Sequence, residues 1–185
     1  TIKVALGEDL GEDAILNIGK LANMFGEVER SGIKNAMLAV GSAVNQVGQS
    51  SMASEKYLVD FTARMAGTAN QAGFTVSQIL GYASVLDQNM IQLEMGATAL
   101  QTVMLGMYQK PAEFAKLAGM ELQKFTKLVE VDANEAFITL LQTMSSKGGL
   151  QQLAPIFKDL GVDGTRAISV LNSLVSNVGK LKSEQ

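Results

Sequence analysis

Apolar residues recur three and four positions apart along nearly the whole chain: Leu58, Phe61, Met65 and Ala69, then Val76, Ile79, Leu80 and Ala83, then Leu93, Ala97, Leu100 and Met104. That period places each set on one face of a helix, and no stretch alternates as a strand would, so the pattern predicts an all-α fold. Helix starts are marked where a side-chain oxygen can cap free amides and a residue three positions on can reach back: Asp9 with Glu12, Thr75 with Gln78, Asn89 with Gln92, and Asp132 with Glu135. Stops are expected at Gly26, Gly48, Gly73, Gly119, Gly148-Gly149 and Gly161, because glycine takes the positive φ that closes a helix. Pro111 and Pro155 sit where a first helical turn tolerates them.

These signals predict about nine or ten helices of moderate length. The grouping is N-terminal helices over 9–48, central hairpins over 54–108 and C-terminal helices over 111–178, all in a single helical domain of residues 1–185. The connections Gly73-Phe74-Thr75 and Asp87-Gln88-Asn89 are short, which makes the helices they join antiparallel neighbours. The expected architecture is a bundle or stack of short antiparallel helical hairpins. Phe61 to Leu86 and Phe114 to Met144 share the order helix, glycine turn, capped helix, too loosely to define a repeat.

Composition narrows the chemistry. The chain holds 47% hydrophobic residues, enough for a sizeable core, and has no Cys, His or Trp. Thiolate and imidazole catalysis, Cys/His zinc sites and disulfides are therefore excluded within it. With a net charge of −3 and dispersed Lys and Arg, it presents no basic stripe for phosphates, and nucleic-acid binding is not expected. Glu8, Asp9, Glu12 and Asp13 stand where a secretory leader would be basic and then apolar, so export by such a leader is not expected. Because it begins at Thr1, the chain is expected to be a fragment of a longer protein.

Met65 to Leu86 carries no charge and is rich in Ala, Gly, Ser and Thr, as closely packed membrane helices are, but Asn70, Gln71, Gln78 and the Gly73 turn interrupt it well short of a span. It reads as a buried hairpin. Met90, Met95, Met104 and Met107 could line an adaptable partner groove, yet helical spacing puts Met104 with Leu100, and the reading for the set is core. Two carboxylates suffice for glycoside hydrolysis, and the candidates are Glu94, Asp132, Glu135 and Asp163. Asp132 with Glu135 reads as a capping box, Asp163 as an N-cap and Glu94 as an exposed face residue, and no aromatic sugar platform accompanies them. Lys110, Lys116, Lys124 and Lys127, balanced by Glu113, Glu121 and Glu130, read as solvated helix faces. Gly161 to Arg166 lacks the ending of a phosphate loop. No catalytic, cofactor or metal residue is assigned, no cofactor is expected, and the chain is not expected to be an enzyme.

One ordered set of stretches points further. Ala36 to Asn45, Asp60-Phe61-x-x-Arg64-Met65-Ala66-Gly67-x-Ala69-x-Gln71-Ala72-Gly73, Glu94-Met95-Gly96-Ala97-Thr98-Ala99-Leu100, Phe114 to Met120, and Leu160-Gly161-Val162-Asp163-Gly164-Thr165-Arg166 follow one another from about Ile33 to Leu174. Their order and spacing resemble the core segment of phage tail tape measure proteins. Met95 stands where members often have Ala, with the small-residue pattern shifted by a position. The resemblance implies a virion structural protein that fills the tail tube, sets tail length during assembly and leaves with the DNA. It also implies residence in the virion tail lumen, and in the bacterial cytoplasm during assembly. Implied partners are tail tube subunits, tail-assembly chaperones and tail-tip proteins, with self-association as a further expectation and membrane contact only at ejection. The alternative left open is a non-catalytic helical interaction domain of bacterial or prophage origin.

Overall fold

The computed structural model describes residues 12–146, 149–159, 161–177 and 179. The described residues form α1 (Glu12–Met24), α2 (Glu27–Ser31), α3 (Ile33–Ser50), α4 (Glu55–Gln71), α5 (Val76–Gln88), α6 (Leu93–Gln109), α7 (Pro111–Leu117), α8 (Leu122–Val131) and α9 (Ala133–Ser146), then a 3-10 turn (Leu150–Leu153), α10 (Ala154–Asp159) and α11 (Gly164–Val175). No strand occurs among them, and the all-α bundle expected from the periodicity is the observed fold.

The helices assemble around α5. Helix α4 packs along α5 and also meets α1 and α6; α3 lies against α1, α4 and α5; α11 covers α5 and α6 from the C-terminal side. Nine residues of α5 are buried, Val76 and the unbroken run Ile79 to Leu86. A helix enclosed on all sides has no face on which to solvate a charge. This is why Ile79 to Leu86 contains none; no helix among the described residues is long and apolar enough to cross a membrane.

Phe74 and Tyr82 meet Phe137 of α9 edge to face, at ring-centroid distances of 6.5 and 5.4 Å, which ties α5 to the C-terminal helices. The Tyr82 hydroxyl is buried with them and donates to Asn134 Oδ1. Buried apolar side chains form one cluster from Ile18 to Leu174. Small residues set its spacing: Ala66, Ala69, Ala83, Ala97 and Ala99 are buried between helices. At Gly96 an added Cβ would lie 2.9 Å from Leu86 Cδ1 and 3.3 Å from the Phe61 ring.

The boundaries differ from expectation in three places. Gly48 is inside α3, which continues to Ser50, because its missing side chain leaves room for Glu55 Cγ, only 3.0 Å from where a Cβ would stand. The unforeseen break is Gly32, at φ 76°, between α2 and α3. Asn89 does not start a helix: its Nδ2 donates to the Val85 carbonyl at 2.7 Å, so it closes α5, and the N-cap of α6 is Gln92. Finally, α5 and α6 touch each other little and both pack on α4, so the connection through Asn89 does not form the expected hairpin. Asp9 and Gly148 lie outside the described residues.

Candidate functional site

Four connections share one backbone design. In each, a residue with left-handed φ is followed by a partly or fully buried apolar residue and then by the N-cap of the next helix: Gly73-Phe74-Thr75, Met90-Ile91-Gln92, Gly119-Met120-Glu121 and Gly161-Val162-Asp163. The apolar residue's N–H donates to the carbonyl five positions back, at 2.9 Å from Phe74 to Ala69, 3.0 Å from Ile91 to Leu86, 2.9 Å from Met120 to Ala115 and 2.9 Å from Val162 to Phe157. This bond occupies a carbonyl that the helix end leaves free, while the apolar side chain turns in to the core. Thr75 then completes a reciprocal box with Gln78, its N–H donating to Oε1 at 2.9 Å and its Oγ1 accepting from the Gln78 N–H at 3.2 Å. Asp163 Oδ1 accepts from the amides of Thr165 and Arg166 at 2.9 and 3.2 Å.

Two of these corners border a groove of about 690 Å³, whose rim includes Met90, Gln92, Glu94, Met95, Asp163 and Arg166. Of the four candidate carboxylates, Glu94 and Asp163 are brought to this groove. Asp132 and Glu135 belong to the α8–α9 junction instead, where Asp132 Oδ1 accepts from the Glu135 amide at 2.9 Å as a cap. Glu94 is 82% exposed and lies 3.7 Å from Arg64 Nη1. Asp163 Oδ2 lies 3.7 Å from Arg166 Nε. Both pairs are solvated surface contacts, worth little individually. No group of three His, Cys, Asp or Glu side chains suited to a metal occurs among the described residues.

The methionines divide. Met104 and Met107 are fully buried and Met95 packs partly against the core, but Met90 is 92% exposed, contrary to the core reading for the set, because its backbone rather than its side chain fits the corner. Lys110 also departs from a purely solvated face: its Nζ lies 3.8 Å from Glu113 and 3.5 Å from Asp159 of α10, linking the α6–α7 junction to the C-terminal helices. Lys124 and Glu121 pair at 3.2 Å on the exposed face of α8, as their spacing suggests.

Burial raises the Tyr57 hydroxyl well above its ordinary value, and the nearby Asp87 charge adds to the effect. Its hydroxyl donates to the Ile91 carbonyl at 2.9 Å. Burial also raises Tyr108, assisted by Glu130; the Tyr108 hydroxyl donates to the Ala72 carbonyl at 2.9 Å. Both phenols therefore act as neutral donors to the carbonyls of corners or helix ends. Sequence reasoning missed the four corners as a set: glycine, apolar residue and cap follow one another at Gly73, Gly119 and Gly161, whereas nothing in the sequence marks Met90. No known family, curated protein or solved structure matches this chain.

Proposed function

We propose that this chain is a segment of a phage or prophage tail tape measure protein, a structural component with no catalytic role of its own. What carries the reading is the ordered set of family-like stretches, and their positions in the fold are consistent with it. Ala36 to Asn45 lies within α3, Asp60 to Gly73 runs through α4 into its corner, and Glu94 to Leu100 opens α6. Phe114 to Met120 covers α7 and its corner, and Gly161 to Arg166 opens α11. The small residues in these stretches are the ones that let helices approach closely, as at Ala66, Ala69, Ala97 and Gly96.

In this reading the segment works in the tail lumen, against tail tube subunits, with assembly chaperones and tail-tip proteins engaged before and after tube growth. An α-helix rises about 1.5 Å per residue, so Ile33 to Leu174 fully extended would span on the order of 200 Å, whereas the folded bundle is only about 40 Å across. In-frame deletion of residues 33–174 from the parent phage, with tail lengths measured by negative-stain electron microscopy, separates the possibilities. Tails shorter by on the order of 200 Å place the segment, extended, in the ruler. Tails of unchanged length, or none, make it a folded assembly or docking module. Full-length tails with normal infection overturn the tail reading in favour of a helical interaction domain.

A further inference from the structure

The two most exposed large apolar side chains among the described residues are both methionines: Met52 is 91% and Met90 92% exposed. Neither thioether packs on the core, whereas Met65, Met104, Met107 and Met144 are buried in it and Met37, Met95 and Met120 lie partly against it. Met24 is intermediate, half-exposed on α1.

The fold also brings the exposed pair together. Met52 lies in the connection from α3 to α4, and Met90 in the corner between α5 and α6. The Ser54 N–H, two residues after Met52, donates to Asp87 Oδ2 at 2.6 Å, and the Met90 N–H donates to the Asp87 carbonyl at 2.8 Å. Through these two bonds the methionine backbones are no more than about 20 Å apart, on one edge of the bundle.

A thioether in water is open to two-electron oxidation, and the consequence depends on packing. In a core, sulfoxide formation sets a polar, chiral group among apolar side chains and disrupts them; on an unpacked side chain it changes the surface and leaves the fold alone. Oxidant and repair enzyme alike need the sulfur exposed.

We propose that Met52 and Met90 form a paired, reversible oxidation site: peroxide converts both to methionine sulfoxide in the folded protein, and methionine sulfoxide reductases convert them back. In the forward step one peroxide oxygen bonds to Sδ as the O–O bond breaks; the sulfur is oxidised by two electrons and the peroxide is reduced to water. In the return step two thiols of the reductase system supply the electrons, a disulfide forms between them, and the oxygen leaves as water. Oxidation makes this edge polar without altering the helices behind it, and Met90 carries the change to the rim of the groove that Glu94 and Asp163 line. The inference concerns this chain alone and stands whether or not the chain measures a tail.

The test treats the folded full chain with hydrogen peroxide and follows each methionine by mass spectrometry of proteolytic peptides. Met52 and Met90 should oxidise as free methionine does, at least about tenfold faster than Met65, Met104, Met107 and Met144, which react only when the structure opens. Met52→Leu with Met90→Leu should remove two oxygens from the fast phase. The doubly oxidised protein should keep its melting midpoint within about 2 °C, as surface changes do, and the reductases for the two sulfoxide epimers, added together, should take both oxygens off. Buried methionines that oxidise as fast as the pair, a fast phase indifferent to the two leucines, a larger fall in the midpoint, or sulfoxides that the reductases leave in place each overturn the proposal.

Discussion

Replacing Gly67 and Gly96 by alanine, one at a time, tests the close helix approach at the centre of the fold. Both glycines lie inside helices, α4 and α6, so each replacement by alanine carries the same intrinsic gain of about 0.5–1 kcal/mol. Their surroundings are opposite. A Cβ on Gly67 would meet nothing within 4 Å, whereas one on Gly96 would meet Leu86 Cδ1 at 2.9 Å, the Phe61 ring at 3.3 Å and Ile91 Cγ2 at 3.5 Å. Leu86 and Phe61 are completely buried, so Leu86 cannot swing aside without displacing another core side chain. Forcing a methyl group into such a site costs about 1–3 kcal/mol, which outweighs the helical gain. Gly67→Ala should therefore stabilise by about 0.5–1 kcal/mol and Gly96→Ala destabilise by about 1 kcal/mol, with melting midpoints moving in opposite directions by about 2–4 °C. Urea titration followed by circular dichroism gives both values, and an unchanged slope shows that the folded state itself is retained. Equal stabilisation by the two substitutions would refute the argument, because it would mean that α6 does not approach α4 and α5 as closely as Gly96 indicates.

Two further outcomes are expected. Asp163→Ala should lower stability by about 0.5–2 kcal/mol by leaving the Thr165 and Arg166 amides uncapped, and Asp163→Asn should recover most of the loss, as read by thermal melts. Because the Tyr57 and Tyr108 hydroxyls are raised in the folded protein, the unfolded chain releases their protons first: their contribution to stability is present below about pH 10 and is lost as pH rises above it. Tyrosinate absorbance should accordingly show Tyr57 ionising later than free tyrosine, and Tyr57→Phe should flatten the alkaline fall in melting temperature. A Tyr57 that titrates as free tyrosine would contradict its burial against Ile91.

Most of the architecture was legible because burial writes a period into the sequence. Leu58, Phe61, Met65 and Ala69 recur at helical spacing and are all buried on α4, and the second half of the uncharged run, Ile79 to Leu86, is the buried stretch of α5. Caps were legible where the chemistry was local, as at Thr75 with Gln78 and Asp163 with the amides that follow it. Asn89 misled because the same side chain that can cap a helix start can also bond backward to a helix end. Met90 was hidden for a different reason: a left-handed backbone at a non-glycine residue is imposed by the burial of α6 on α4 and α11, which no local pattern reports. That Glu94 and Asp163 line one groove is likewise tertiary, and no spacing rule reports it.

The corners at Gly73, Gly119 and Gly161 each make their closing backbone hydrogen bonds within a handful of consecutive residues. Nothing in such a joint depends on how many turns the helices on either side contain. Helical segments can thus be lengthened, shortened or duplicated between corners without redesigning the corners, provided that each new turn finds a face to bury. A protein built this way can change its contour length through insertions of whole helical turns, with the joints copied unchanged.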